Sequence, residues 1–156
     1  MISLDIPGFD HIELLHLVSD FSGTLSVDGE LEPGIRERLN ALAELLDVHI
    51  VTADTHGNAR RALKGINATV HIMQGQVHDE VKADYVKKIG PESVVAFGNG
   101  NNDVRMLSLA CLGVAVCLPE GCSVNAMETA DITVHSIADG LDLLLKPRRL
   151  VATLRR

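Results

Sequence analysis

The chain has no tryptophan, one tyrosine and three phenylalanines among its 156 residues, so aromatics make up only 3% of it. A core without rings has to be built from Leu, Val, Ile and Ala. Apolar residues at 46%, with 22% charged, are enough to bury one. That composition suits Val/Ile-rich parallel strands covered by Ala/Leu helices. Positive charge is also scarce: 14 Lys and Arg face 21 Asp and Glu, for a net charge of −7 with His neutral. Nucleic-acid binding needs a basic footprint, which is missing. A small phosphorylated substrate stays compatible, because one local lysine and a cation can outweigh the global charge. The three cysteines, Cys111, Cys117 and Cys122, form neither a disulfide framework nor a CxxC pair, which favours a reducing, cytoplasmic setting. The start, Met1-Ile2-Ser3-Leu4-Asp5, lacks the basic residues and apolar run of a signal peptide. No apolar stretch approaches the ~20 residues of a membrane span, so no membrane partner is expected.

What is present is a regular alternation. The length favours a single domain over 1–156, with its core at about 13–145 and a basic tail at 146–156. Residues 1–11 are short and mixed, with a break at Pro7-Gly8. Core strands are expected at 13–19, 48–51, 68–73, 93–97, 112–117 and 131–135. Between them, helices are expected at 33–46, over about ten residues ending at Gly65, and at 78–89, 104–110, 123–130 and 137–145. Val27-Asp28-Gly29-Glu30 carries the Asp-Gly signal of a hairpin and reads as a small flap. Strands alternating with helices across short loops specify an α/β, three-layer Rossmann-like fold with a mainly parallel sheet and helices on both faces. The tail, with five of the fourteen basic residues, reads as a solvated terminal helix.

The chain is organised around residues 15–25, where the apolar run Leu17-Val18 ends in Ser19-Asp20 and then Phe21-Ser22-Gly23-Thr24. A buried strand ending in an acid and a Gly-Thr turn delivers a carboxylate to the carboxyl edge of an α/β sheet, where such sheets bind ligands. Three further polar groups fall at strand ends or helix starts: Thr52-Ala53-Asp54, Lys82, and Asn99-Gly100-Asn101-Asn102-Asp103. The seven histidines show no metal-ligand spacing and read as structural or surface residues; His56 and His78 lie nearest the expected rim.

In order and spacing these four segments resemble the haloacid dehalogenase-like superfamily. Its first motif, Asp-x-Asp-x-Thr, corresponds to Asp20-Phe21-Ser22-Gly23-Thr24. Thr52 matches its second motif, Lys82 its third, and Gly98 through Asp103 its fourth. The resemblance implies a phosphohydrolase in which Asp20 attacks phosphorus and forms an acyl-phosphate, splitting one hard step into two. It makes Asp20, Ser22 and Lys82 the catalytic positions. Thr52, the backbone at Ala53, Lys82 and Asn102 become the phosphate-binding ones. It also implies Mg²⁺ held by Asp20, the carbonyl of Ser22, and Asn99 and Asp103 of the fourth motif.

Two positions depart from the family pattern. Ser22 stands where the phosphatases carry an aspartate as general acid and base, and a hydroxyl does not replace a carboxylic acid at neutral pH. Asn99 stands where an acidic metal ligand is usual. A hydroxyl residue at the former position, with Gly98-to-Asp103 as the fourth motif, is similar to the phosphorylation domain of P-type ATPases, without their membrane part. The intervals Thr24 to Thr52 and Thr52 to Lys82 leave no room for a cap domain, so the site is expected to be open, to be covered by a second copy in a homo-oligomer, or to accept a macromolecule. A slow phosphatase favouring good leaving groups is the reading that follows. A catalytically impaired binding or regulatory protein, and more distantly a dehalogenase, are the alternatives.

Overall fold

The computed structural model describes residues 1–54, 57–75 and 77–156. The elements run β1 (Ile2–Ile6), β2 (Asp10–Leu14), β3 (His16–Ser19), β4 (Ser26–Val27), β5 (Glu30–Leu31), α1 (Ile35–Ala43), β6 (Asp47–Thr52), α2 (Ala59–Ala62) and β7 (Thr69–Ile72). They continue with α3 (His78–Ile89), β8 (Val94–Gly98), α4 (Val104–Leu109), β9 (Leu112–Val116), α5 (Val124–Thr129), β10 (Ile132–Val134), α6 (Ile137–Leu145) and α7 (Pro147–Leu154). Six strands form one parallel sheet in the order β10-β9-β8-β3-β6-β7. From β3 the chain steps outward through β6 to β7, returns to β8 on the other flank of β3, and steps outward again. The reversal of strand order puts the topological switch point at β3, where a crevice opens at the carboxyl ends of the strands.

The sheet is buried on both faces, and the strands show why an aliphatic, non-alternating sequence suits it. Along β8, Val95 and Phe97 enter one cluster, with Ile35, Leu39 and Leu42 of α1 and Leu141 and Leu144 of α6. Val94 and Ala96 enter the opposite cluster, with Val86 of α3, Met106 and Leu107 of α4 and Ala126 of α5. All five β8 residues are buried. With a period of two, consecutive residues feed opposite faces, so a strand covered twice is apolar throughout.

Two regions differ from the sequence expectation. Residues 13–19 are not one strand. Glu13 and Leu14 belong to β2, which pairs antiparallel with β1 in the register Ile2 to Leu14, and the core strand starts at His16. The apolar pattern runs across the junction, so only the pairing partners separate the two strands. The C-terminal stretch is not a solvated tail. Leu150 of α7 is fully buried, and the Arg156 N–H donates to the Pro7 carbonyl at 2.9 Å, tying the end of the chain to the β1–β2 turn. Lys146 and Arg149 pair with Asp142 of α6 (2.8 and 3.7 Å), which also accepts from Arg38 of α1 at 2.9 Å. The flap forms as expected: β4 and β5 pair antiparallel across Asp28-Gly29, with φ of 52° and 80°, which the short Asp and Gly side chains tolerate. The helix expected to end at Gly65 is only the single turn α2. Among the described residues no helix is long and apolar enough to cross a membrane.

Candidate active site

Asp20 follows β3 directly, and its backbone N–H continues the ladder by donating to the Phe97 carbonyl of β8 at 3.0 Å. It is 6% exposed. Lys82 projects from the second turn of α3, whose buried stripe is Lys82, Ala83 and Val86. Its Nζ lies 3.0 Å from Asp20 Oδ1 and 2.6 Å from Asp103 Oδ1, and both Lys82 and Asp103 are fully buried. Three charges thus meet below the crevice: two carboxylates and one ammonium. Burial pushes the Asp20 carboxyl up to about 6; the Asp103 charge pushes the same way, and Lys82 opposes both. Burial by itself would lower the Lys82 ammonium, but the two carboxylates outweigh it and hold it above the ordinary lysine value.

Asp103 is engaged on both oxygens. Oδ1 accepts from Lys82, and Oδ2 accepts the backbone N–H groups of Asn99 and Gly100, each at 2.9 Å. With Oδ2 on two backbone N–H groups and Oδ1 on the lysine, its carboxylate fixes Lys82 and the loop. Gly98 allows this fold-back, since a Cβ there would sit 2.5 Å from the Asp103 Cβ. Asn99 faces the first motif. The Thr24 hydroxyl donates to Asn99 Oδ1 at 3.1 Å, Asn99 Nδ2 donates to the Gly121 carbonyl at 3.1 Å, and the Ser123 N–H donates to the Asn99 carbonyl at 2.7 Å. Gly23 (φ 76°) lies so close to Asn99 that a Cβ would come within 2.5 Å of its Nδ2.

Thr52 ends β6 beside β3 and is buried. Its Oγ1 accepts the Asp54 N–H at 3.0 Å, which leaves the hydroxyl proton to be donated elsewhere. Asp54 adopts φ 52° and its Oδ1 accepts the N–H groups of Asn58 and Ala59, both at 2.9 Å, so the capping role belongs to Asp54 while Thr52 stays at the strand end. Ala53 is half-buried between them. The Ser22 Oγ is buried without a hydrogen-bond partner among the described residues. Asn102 sits half-buried in the 3-10 turn Asn101–Asp103, with its Oδ1 3.0 Å from where a Gly100 Cβ would be. His78 opens α3 and its Nε2 bonds the Gly75 carbonyl at 2.8 Å; His56 lies outside the described residues.

Several supports of this arrangement carry no motif of their own. Asn58 Nδ2 donates to the flap carbonyl of Gly29 at 2.7 Å, and Glu120 Oε2 accepts the flap N–H of Asp28 at 3.1 Å, so the flap is pinned at both sides. Gly121 and Ser123 position Asn99 from 22 and 24 residues away, with no local signal in the chain. Among the described residues the two motif intervals hold only the flap, α1, β6, α2, β7 and the first turn of α3. A cavity of about 570 Å³, lined by Glu80, Asp84, Lys87, Arg105 and Leu109, lies between α3 and α4 and includes none of the motif residues. Around the crevice the donors are carboxylate, carbonyl and amide oxygens. With two buried carboxylates against one ammonium, that hard-donor, negative environment fits Mg²⁺, which keeps most of its waters. Among the described residues no three His, Cys, Asp or Glu side chains form a cage for a metal.

A buried Asp–Lys–Asp set at the switch point of a capless parallel sheet, flanked by a strand-end threonine, defines a class of α/β hydrolase. The model of the haloacid dehalogenase-like hydrolase family matches residues 85–139 of the chain. An uncharacterized protein of Methanocaldococcus jannaschii is 45% identical over 71 residues, which cover 45% of this chain and 76% of that protein. The soluble P-type ATPase-like phosphatase of the same organism is 26% identical over 126 residues, 79% of this chain. The chain spans just 46% of that phosphatase's length. Among solved structures, the 3-deoxy-D-manno-octulosonate 8-phosphate phosphatase of Moraxella catarrhalis, solved with magnesium, phosphate and its sugar, superposes with a TM-score of 0.71. It is 21% identical, and the match covers 91% of this chain and 94% of that one.

Proposed function

We propose that this chain is a phosphatase that hydrolyses small phosphorylated substrates through an aspartyl-phosphate on Asp20, with Mg²⁺ as cofactor. The observation that carries the reading is the buried Asp20–Lys82–Asp103 set, with Lys82 3.0 Å from the would-be nucleophile. The Asp20 carboxylate, shifted up to about 6, is mostly ionised at neutral pH and able to attack phosphorus. Lys82 and the Thr52 hydroxyl face the region where negative charge builds on the phosphoryl oxygens, as preorganised donors that need no rearrangement. The Ala53 backbone and Asn102 complete that set. Asp20, the Ser22 carbonyl and Asn99 would hold Mg²⁺, with Asp103 behind them. When bound, the ion supplies positive charge that lets two anions approach.

Ser22 sets the rate and the substrate preference. Its hydroxyl has no hydrogen-bond partner among the described residues, yet it has no proton acidic enough to give to a departing alkoxide. The leaving group therefore departs as its own anion, and aryl phosphates, acyl phosphates and anhydrides are cleaved faster than sugar or alkyl phosphates. Water attacks the acyl-phosphate without a strong general base, so the intermediate is long-lived. The test is a phosphate-ester panel with and without Mg²⁺, run beside Asp20→Asn and Ser22→Asp. The expected result is p-nitrophenyl and acetyl phosphate turnover, an acid-stable phosphoenzyme lost in Asp20→Asn, and faster turnover in Ser22→Asp. Activity that persists in Asp20→Asn, or faster cleavage of alkyl phosphates, overturns the proposal.

A further inference from the structure

The amino edge of the sheet, opposite the crevice, carries a second group of polar side chains that the proposed chemistry leaves unused. His16 opens β3, and His49 lies on the neighbouring β6. They are 33 residues apart in the chain, so no ligand spacing marks them. In the fold, His16 Nδ1 and His49 Nε2 face each other at 3.3 Å in a partly buried position. The rings are inclined by 50° with centroids 5.4 Å apart, so they meet through their nitrogens and not through their faces. The other nitrogen of His49, Nδ1, is 2.9 Å from the Tyr85 hydroxyl of α3, which fixes the nitrogen that His49 turns to His16. Asp47 opens β6, and its Oδ2 stands 3.7 Å from His16 Nδ1 on a side chain that is 78% exposed.

A separation of 3.3 Å is long for a hydrogen bond, since N–H donors usually sit about 2.7–3.2 Å from an oxygen acceptor. It matches two ligands on one tetrahedral ion: Zn–N bonds of about 2.0–2.1 Å put the two nitrogens about 3.3–3.4 Å apart. The contact of His49 Nδ1 with Tyr85 is the arrangement that ligating histidines use, in which a partner on one ring nitrogen sets the tautomer and leaves the other with its lone pair. Solvent reaches the pair from two sides. A cavity of about 380 Å³ is lined by Asp47, His49 and Thr69, and a neighbouring one of about 280 Å³ by His16, Glu44 and Asp47. Neither is lined by Lys or Arg, so the surroundings are negative and leave room for water.

We propose that His16 and His49 form a two-imidazole site for a divalent transition ion of the zinc type, bound through His16 Nδ1 and His49 Nε2. Water fills the remaining positions, and the Asp47 carboxylate accepts a hydrogen bond from that water. Among the described residues no three ligating side chains form a cage, so the ion exchanges with solvent and is not locked into the fold. Imidazole nitrogens select such ions, whereas Mg²⁺ takes oxygen ligands and is left to the crevice. The bound ion clamps the starts of β3 and β6, the two strands that lead to Asp20 and Thr52 at their other ends.

The test titrates Zn²⁺ into the full chain, with Mg²⁺ in excess, and follows the histidine ring-nitrogen resonances of an isotope-labelled sample beside calorimetry. The expected result is a binding event in which the His16 Nδ1 and His49 Nε2 resonances shift in step with the heat. His16→Gln and His49→Gln should each remove that event. Asp20→Asn should leave it unchanged, because the crevice takes no part in it. Ring resonances that stay in place while zinc binds at the cysteines or the crevice overturn the proposal. So does binding that is lost in Asp20→Asn, or that survives either histidine replacement. The ring measurement on the parent needs no variant, so a histidine replacement that misfolds does not protect the idea.

Discussion

Replacing Lys82 by Met is the sharpest test of the buried charge set. Methionine is similar in length and fits the stripe of α3, so the change removes the ammonium and little packing. It leaves Asp20 and Asp103 facing each other with no cation, both buried. Breaking a buried ion pair by removing one partner costs about 3–5 kcal/mol. For a domain of this size each kcal/mol moves the melting temperature by about 2–4 °C, so a fall of roughly 6–20 °C is expected. The loss should shrink as the pH falls, and from above the parent's value of about 6, because the variant lacks the lysine that holds the Asp20 carboxyl down and protonation of Asp20 removes one of the two unpaired charges. The double variant Lys82→Met/Asp103→Asn should recover much of the loss, since the Asn carbonyl can still accept the N–H groups of Asn99 and Gly100 while the surplus charge is gone. The assay is urea unfolding followed by circular dichroism at pH 7.5 and pH 5.5. If Lys82→Met lies within about 1 kcal/mol of the parent, or the double variant is no better than the single, the electrostatic account of this site is wrong.

Gly98→Ala places a methyl group 2.5 Å from the Asp103 Cβ; overpacking of this kind costs about 1–3 kcal/mol and should displace the carboxylate that holds Lys82. A parent-like melt would show that the loop yields freely. Leu150→Ala, at a fully buried position of α7, should destabilise by about 2–5 kcal/mol; a neutral change would return the C-terminal segment to a solvated tail. His49 is half-buried, 3.3 Å from His16 Nδ1 and 2.9 Å from the Tyr85 hydroxyl, and burial, then His16, hold its ring below the usual histidine value. The fold thus prefers neutral His49, its contribution is complete above the unfolded value of about 6.5, and it is lost as the pH falls toward the lowered folded value. The melting temperature of the parent should accordingly drop more between pH 8 and pH 5.5 than that of His49→Gln; equal slopes would remove His49 from the account.

Much of this architecture could be read directly from the chain. β8 is apolar throughout because both its faces are covered, α3 starts and stops where the sequence placed it, and Asp28-Gly29 makes its turn in the backbone conformation that this pair favours. These are short-range properties, set by side-chain period and local backbone preference. The pairing of β2 with β1, the docking of α7 and the shortness of α2 were not legible, because each depends on partners distant in sequence. Leu150 and the Pro7 turn, for example, carry no mark of one another.

The site divides along the same line. By itself the sequence pointed to the residues proposed to bear the chemistry, because Asp20, Thr52, Lys82 and the Asn99-to-Asp103 segment each close a strand or open a helix, and a parallel sheet gathers its carboxyl ends on one edge. Only the tertiary structure decided how those residues divide the work. Asp103 reads as a metal-site residue along the chain, and in space it also holds Lys82 with one oxygen and two backbone N–H groups with the other. Asn99 looks like a weakened ligand, but it is held by Thr24, Gly121 and Ser123, which no spacing rule connects to it. A carboxylate has a limited number of lone pairs, and which donors claim them is a question of distance in three dimensions.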